Sequence, residues 1–162
     1  MIVTVRPANP DDYAAVEQLA REIHAQHVTA RPDFFRMSDP VLPEEHFDSL
    51  LSGDASTLFV AEYDAAIAGY AICAMRQTPS LGMRIPRTSA IVDTVVVTQS
   101  LRGEGIGRAL MDACAEWARN NGATTLELSV WEFNRDAIAF YERLGMETLT
   151  RRMSLPLTEA SR

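Results

Sequence analysis

Arg102-Gly103-Glu104-Gly105-Ile106-Gly107-Arg108 spaces three glycines at alternate positions, three residues after the β-branched run Val95-Val96-Val97-Thr98 and directly before an apolar-periodic stretch. A strand, a tight turn and a helix start follow from that order. Glycine removes side chains where the chain must turn, so backbone N–H groups at the helix N-terminus are free to approach an anion. Phosphate suits such a turn. A nucleotide P-loop closes on Gly-Lys and then Ser or Thr, whereas Gly107 is followed by Arg108-Ala109. A dinucleotide turn reads G-x-G-x-x-G near the first strand of a βαβ unit, with an acid about 20 residues on. The glycines here have a different spacing and lie late in the chain, so ATP and NAD are both disfavoured.

Other residues carry weaker signals. Asp93 interrupts the apolar, β-branched run of residues 89–97, and an unpaired buried carboxylate is costly, so it needs a partner or a task. Asn134 has the chemistry of a helix N-cap. His24 and His27 lie three apart on one predicted helix, but no third ligand is in view and no metal is expected; His46 reads as a surface residue. Cys73 and Cys114 lack C-x-x-C spacing and read as buried reduced thiols. Trp131 and Phe133 fit either the wall of an acceptor pocket or ordinary core.

The glycine turn resembles the Q/R-x-x-G-x-G/A motif of the GNAT superfamily of N-acetyltransferases. Asn134-Arg135-Asp136-Ala137-Ile138-Ala139-Phe140-Tyr141-Glu142-Arg143-Leu144-Gly145-Met146 is similar to that family's N-x-x-A-x-x-F-Y-E-x-x-G-F element, with Met146 in place of the commoner Phe. The likeness is specific over residues 89–155, while the first half matches in the order of elements. It implies acetyl-CoA as co-substrate, with Arg102, Gly103, Gly105, Ile106, Gly107 and Arg108 lining its pyrophosphate through main-chain N–H groups. It implies that the strand end Val95, Val96 and Val97 meets the pantetheine arm, and that an N–H near Val95 polarises the thioester carbonyl. Asn134 would contact CoA as well as cap its helix. Tyr141 would stand beside the thioester sulfur and protonate the departing thiolate. Some members of the family carry a glutamate base where Asp93 stands. The shorter aspartate favours a water relay or contact with a substrate ammonium, and a purely structural pairing stays open.

These residues need elements to hold them. Residues 2–6 alternate like a short strand, and Asn9-Pro10-Asp11-Asp12 supplies helix-start chemistry for a helix over residues 11–27 whose buried stripe is Ala15, Val16, Leu19, Ala20 and Ile23. Residues 28–43 read as a long connection, with a short helix over 44–51 after it. Residues 58–63 and 66–75 flank Asp64-Ala65 as a hairpin, although the turn lacks the usual glycine. Residues 77–87 form a second loop, residues 89–97 a central strand, and residues 105–121 a helix. A strand through Leu126, Leu128 and Val130 follows, then a helix burying Ala137, Ile138, Tyr141 and Leu144, and a last strand over residues 146–155. This is an α/β chain with a mixed, mostly antiparallel sheet flanked by helices, the fold the resemblance also implies.

At 162 residues one domain spanning 1–162 is the expectation. The formal net charge of -7 opposes binding to nucleic acid and suits, weakly, a cationic partner. The longest apolar runs are too short to span a bilayer and the N-terminus lacks a basic segment followed by an apolar one, so a cytoplasmic protein is expected. The leading function is direct transfer of acetyl from acetyl-CoA to the primary amine of a small molecule, in a ternary complex without an acyl-enzyme. Protein N-termini or lysines as acceptors, and a non-catalytic acyl-CoA-binding regulatory module, are the alternatives; the resemblance also admits a homodimer.

Overall fold

The computed structural model describes residues 2–79 and 82–157. They fall into two compact units, divided in sequence between Ser129 and Val130.

In the first unit β1 (Val3–Pro7), β2 (Ser56–Tyr63), β3 (Ala66–Thr78) and β4 (Arg87–Val97) form an antiparallel meander, and β5 (Thr125–Leu128) joins β4 in parallel. The strands lie side by side in chain order. Parallel pairing needs a crossover, which is supplied by α3 (Ile106–Asn120). The mixed, mostly antiparallel sheet expected from the sequence is present.

Period-two alternation sorts the sheet's side chains onto two faces. Leu58, Val60, Tyr70, Ile72 and Val96 form one core with Val16, Leu19 and Ala20 of α1 (Tyr13–Ala30) and Phe47 and Leu50 of α2 (Glu44–Ser52). Full burial of Phe47 alone stabilises by about 1.5–3 kcal/mol. The opposite face carries Gly69, whose missing Cβ would lie 3.2 Å from Leu110 Cδ1 and 3.3 Å from Ile106 Cγ2 of α3. Helix α3 buries Ile106, Leu110, Met111, Cys114 and Ala118. Cys73 of β3 and Cys114 of α3 are both fully buried.

Chain entry into α1 is fixed by reciprocal bonds. Asn9 Oδ1 accepts from the Asp11 N–H at 2.9 Å, and Asp12 Oδ2 accepts from the Asn9 N–H at 2.8 Å. The helix runs to Ala30, three residues beyond the expected His27, and stops at Arg31 because the residue before Pro32 is pushed out of the helical region. One stripe of α1 then holds the connection to α2. Tyr13 Oη donates to the Leu42 carbonyl at 2.9 Å, Glu17 Oε1 accepts from the Val41 N–H at 3.0 Å, Arg21 meets Asp39 at 2.6 Å, and His24 Nε2 lies 2.8 Å from the Arg36 carbonyl.

The β2–β3 turn lacks glycine, yet Asp64 and Ala65 take positive φ angles of 50° and 62°, the left-handed pair that a two-residue hairpin requires. Strand β3 runs on to Thr78 and β4 starts at Arg87, so the second loop shortens to residues 79–86, of which 80 and 81 lie outside the described residues. β5 stops at Leu128 rather than reaching Val130.

In the second unit α4 (Arg135–Arg143) is capped by Asn134, whose Oδ1 accepts from the Ala137 N–H at 3.3 Å, and it ends before Gly145 at φ 90°. Ala137, Ile138, Tyr141 and Leu144 are half-buried rather than fully buried. The expected last strand over 146–155 is not formed. Leu149, Met153 and Leu155 are largely exposed, and alternation by itself makes no strand without a neighbouring ladder. Among the described residues no helix is long and apolar enough to cross a membrane.

Candidate active site

Register in the sheet creates the first feature. Ile72 pairs with Thr94 and Cys73 with Val92, so Asp93 is an extra residue inserted in β4, a β-bulge. The parallel pairing of β4 with β5 ends at Val92 opposite Leu128. Beyond that point β4 continues for five more residues, through Val95, Val96 and Val97, with no strand on its β5 side among the described residues. A strand edge without a ladder is the kind of surface to which an extended ligand pairs.

The second feature follows within a few residues. A single 3₁₀ turn, Gln99–Leu101, leads to Gly103 and Gly105 at φ 90° and 85°, values that side chains other than glycine seldom adopt. Neither glycine has anything within 4 Å of where a Cβ would stand. The first helical bond of α3 runs from the Ala109 N–H to the Gly105 carbonyl at 3.0 Å, and no side chain caps the helix. The N–H groups of Ile106, Gly107 and Arg108 are therefore left for an outside acceptor. Arg102 and Arg108 are exposed at the same turn, with Arg102 Nε 3.4 Å from the Val97 carbonyl. Positive helix end, bare glycines and two guanidinium groups make a cradle for a phosphodiester or pyrophosphate.

Asp93 is not the buried carboxylate the sequence suggested. Strict alternation would set it with Val95 and Val97 beneath α3; the bulge breaks the parity and turns it out to solvent. The surroundings still withdraw enough water to push its carboxyl above the ordinary value, opposed by the positive charge of His46 on α2. His46 is exposed, as expected.

On α4, Tyr141 is half-buried and burial pushes its phenol up, so the ring holds its proton at neutral pH. Asn134 is the cap described above. Trp131 and Phe133 stack with ring centroids 5.9 Å apart. The structure thus brings Asp93, Val95–Val97 and Arg102–Arg108 together in one unit and sets Asn134 and Tyr141 on one helix of the other. His24 and His27 do not converge on an open site: His27 Nδ1 lies 2.9 Å from the Ile23 carbonyl, and both rings pack edge-on against Phe35.

Residues 15–146 match the model of the acetyltransferase (GNAT) family. An uncharacterised N-acetyltransferase of Methanocaldococcus jannaschii is 32% identical over 102 residues, 63% of this chain and 44% of that protein; the chain spans less than half the length of such curated relatives. A solved variant of the BH1408 protein of Bacillus halodurans is 33% identical, with a TM-score of 0.92 over 98% of this chain and 100% of that one. An aminoglycoside N-acetyltransferase solved with CoA shares the fold, with a TM-score of 0.67 at 18% identity over 96% of this chain and 94% of that one. With its sheet, its open strand edge and its uncapped glycine turn, the chain belongs to the GNAT family of acetyltransferases.

Proposed function

We propose that this chain is an acetyl-CoA-dependent N-acetyltransferase whose acceptor is a small cationic primary amine. The observation that carries the reading is the open edge of β4 leading directly into the uncapped N-terminus of α3. Pantetheine is an amide-bearing chain that can pair with a strand edge, and its pyrophosphate carries the charge the helix end attracts. Acetyl-CoA supplies the activated acyl group as a thioester. Val95 to Val97 and the turn from Arg102 to Arg108 then do the holding, with Asn134 as a further contact.

Transfer requires a neutral amine, a stabilised oxyanion and a protonated leaving thiolate. A β4 backbone N–H near Val95 polarises the carbonyl, Asp93 draws the acceptor ammonium, and the Tyr141 hydroxyl gives its proton to the thiolate. Acidic groups favour a cationic acceptor: Asp93 on the sheet, and Glu44, Glu45 and Asp48 exposed on α2. The fold shared with an aminoglycoside acetyltransferase supports a small molecule over a protein.

Release of CoA thiol is the test, measured across polyamines, amino acid amides, aminoglycosides and short peptides with Tyr141→Phe alongside. Amine-dependent release that falls about a hundredfold in Tyr141→Phe, with acetyl-CoA affinity unchanged, is expected. Equal turnover removes Tyr141 from the acid role; acetyl-CoA binding with no turnover points to a regulatory module, and release with peptides alone moves the acceptor to protein.

A further inference from the structure

We propose that Glu104 sets the glycine turn against its own ligand: the carboxylate steadies the end of α3 when no phosphate is bound and repels the pyrophosphate when one is, so that CoA leaves readily after transfer. This rests on the acetyl-CoA reading above.

Position in the chain carries the argument. Glu104 stands between Gly103 and Gly105, both at positive φ, and directly precedes Gly105, the N-cap of α3. It is the one acid in residues 102–108, exposed on the same turn as the guanidinium groups of Arg102 and Arg108. Its main chain is held on both sides: the Glu104 N–H donates to the Leu101 carbonyl at 3.4 Å, and the Gly105 carbonyl accepts the first bond of the helix. An anion on the N–H groups of Ile106, Gly107 and Arg108 is only two to four residues away. With Cα atoms about 3.8 Å apart along the chain, the carboxylate stays inside the Debye length of about 30 Å at 10 mM salt in any rotamer.

One charge then acts in opposite directions in the two states. Without ligand, the positive pole of α3 has no side-chain cap, and a carboxylate beside it is stabilising. Among the described residues no cation pairs with Glu104, so its charge is fully available to the helix end. With pyrophosphate on the same N–H groups, the carboxylate faces like charge and offsets one of the two arginines. Packing does not dictate the residue here, because the side chain is exposed. A turn shaped for the firmest hold would carry a neutral or basic side chain at this position.

The reaction gives the weaker hold a use. Acetyl-CoA and CoA carry the same pyrophosphate, so grip at this turn is uniform binding. It lowers KM without raising kcat, and it slows departure of the product, a step that limits many enzymes.

Glu104→Gln removes the charge and keeps the length of the side chain. Acetyl-CoA and CoA are titrated calorimetrically into the wild type, this variant and Asp54→Asn, an exposed acid ahead of β2 that controls for net charge. At 10 mM salt Glu104→Gln is expected to bind both ligands about three- to tenfold more tightly, while Asp54→Asn gains less than about twofold. The gain should fade in 1 M salt, where the Debye length is about 3 Å. The thermal midpoint of ligand-free Glu104→Gln should drop by about 1 to 3 °C, and displacement of bound CoA, followed in time, should be slower than from the wild type. Unchanged affinity overturns the proposal, as does an equal gain in Asp54→Asn or a gain that persists in 1 M salt. A gain confined to the association rate overturns the release role, and an unchanged midpoint overturns the ligand-free role. A wild type that binds neither ligand removes the acetyl-CoA reading itself, whereas binding without any gain in Glu104→Gln leaves that reading standing.

Discussion

Asp12 illustrates how much one side chain can hold. Its carboxylate accepts from Arg6 Nη1 at 2.7 Å and Nη2 at 2.9 Å, and from the Asn9 N–H at 2.8 Å, with little solvent exposure. The same Arg6 bonds Glu62 on β2 at 2.8 Å, so β1, β2 and the start of α1 are tied at one guanidinium. The bonds from Arg6 hold the Asp12 carboxyl below its ordinary value. A lowered native value means that stability is fully present above the carboxylate range of about pH 4 and is lost as pH falls through the native value. Asp12→Ala should cost about 2 to 3 kcal/mol in urea unfolding at pH 7, because it removes the two bonds from Arg6 and the bond from the Asn9 N–H to a nearly buried carboxylate. The difference from wild type should shrink on acidification. At this scale the glycine turn was legible because glycine, arginine and helix periodicity are local signals. The outward turn of Asp93 was not, since it depends on a register shift between β3 and β4.

Gly69 belongs to the scale of elements. Its φ is ordinary, so glycine is required there by space: a Cβ would stand 2.6 Å from the Val96 carbonyl oxygen, with Leu110 and Ile106 of α3 just beyond. A backbone oxygen in a paired strand cannot step aside. Gly69→Ala should therefore destabilise by about 1 to 3 kcal/mol. It should also weaken acetyl-CoA binding, since the added methyl presses on Leu110 and Ile106 as well and pushes the N-terminal turn of α3 away from the sheet. Calorimetric unfolding and acetyl-CoA titration of the variant read the two effects, and full affinity in a destabilised variant would detach the turn from the packing beneath it. The elements themselves were largely readable, from α1 and α2 to the meander of strands, because each carries its own period and its own start and stop residues. The segment over 146–155 has the period of a strand and is not one, because pairing depends on a neighbour that periodicity cannot name. The extension of α1 through Val28, Thr29 and Ala30 was hidden because these three residues lead straight into the proline-containing connection and continue no apolar stripe.

For the molecule as a whole, charge is the sequence property that bears on function. An excess of seven negative charges would slow an anionic co-substrate and speed a cationic acceptor, with the two Arg side chains of the glycine turn offsetting the first effect locally. The KM for a polyamine should rise several-fold between about 20 and 300 mM salt, as the Debye length contracts to a few ångströms. A neutral acceptor such as an amino acid with a free carboxylate should hardly respond, and a salt-insensitive polyamine KM would count against an electrostatic role for the acidic groups on α2 and β4.

The chain's two cysteines, Cys73 and Cys114, are both fully buried and both sit where β3 meets α3. A thiol-reactive dye in solution consequently finds almost nothing on the native protein, so colour in a CoA-release assay comes from product rather than catalyst, even at high enzyme concentration. Read without acetyl-CoA, the same dye becomes a clock. Two thiols per chain react only when α3 lifts from the sheet, and slowing of that reaction by a bound ligand measures how firmly the ligand's phosphates clamp the helix in place.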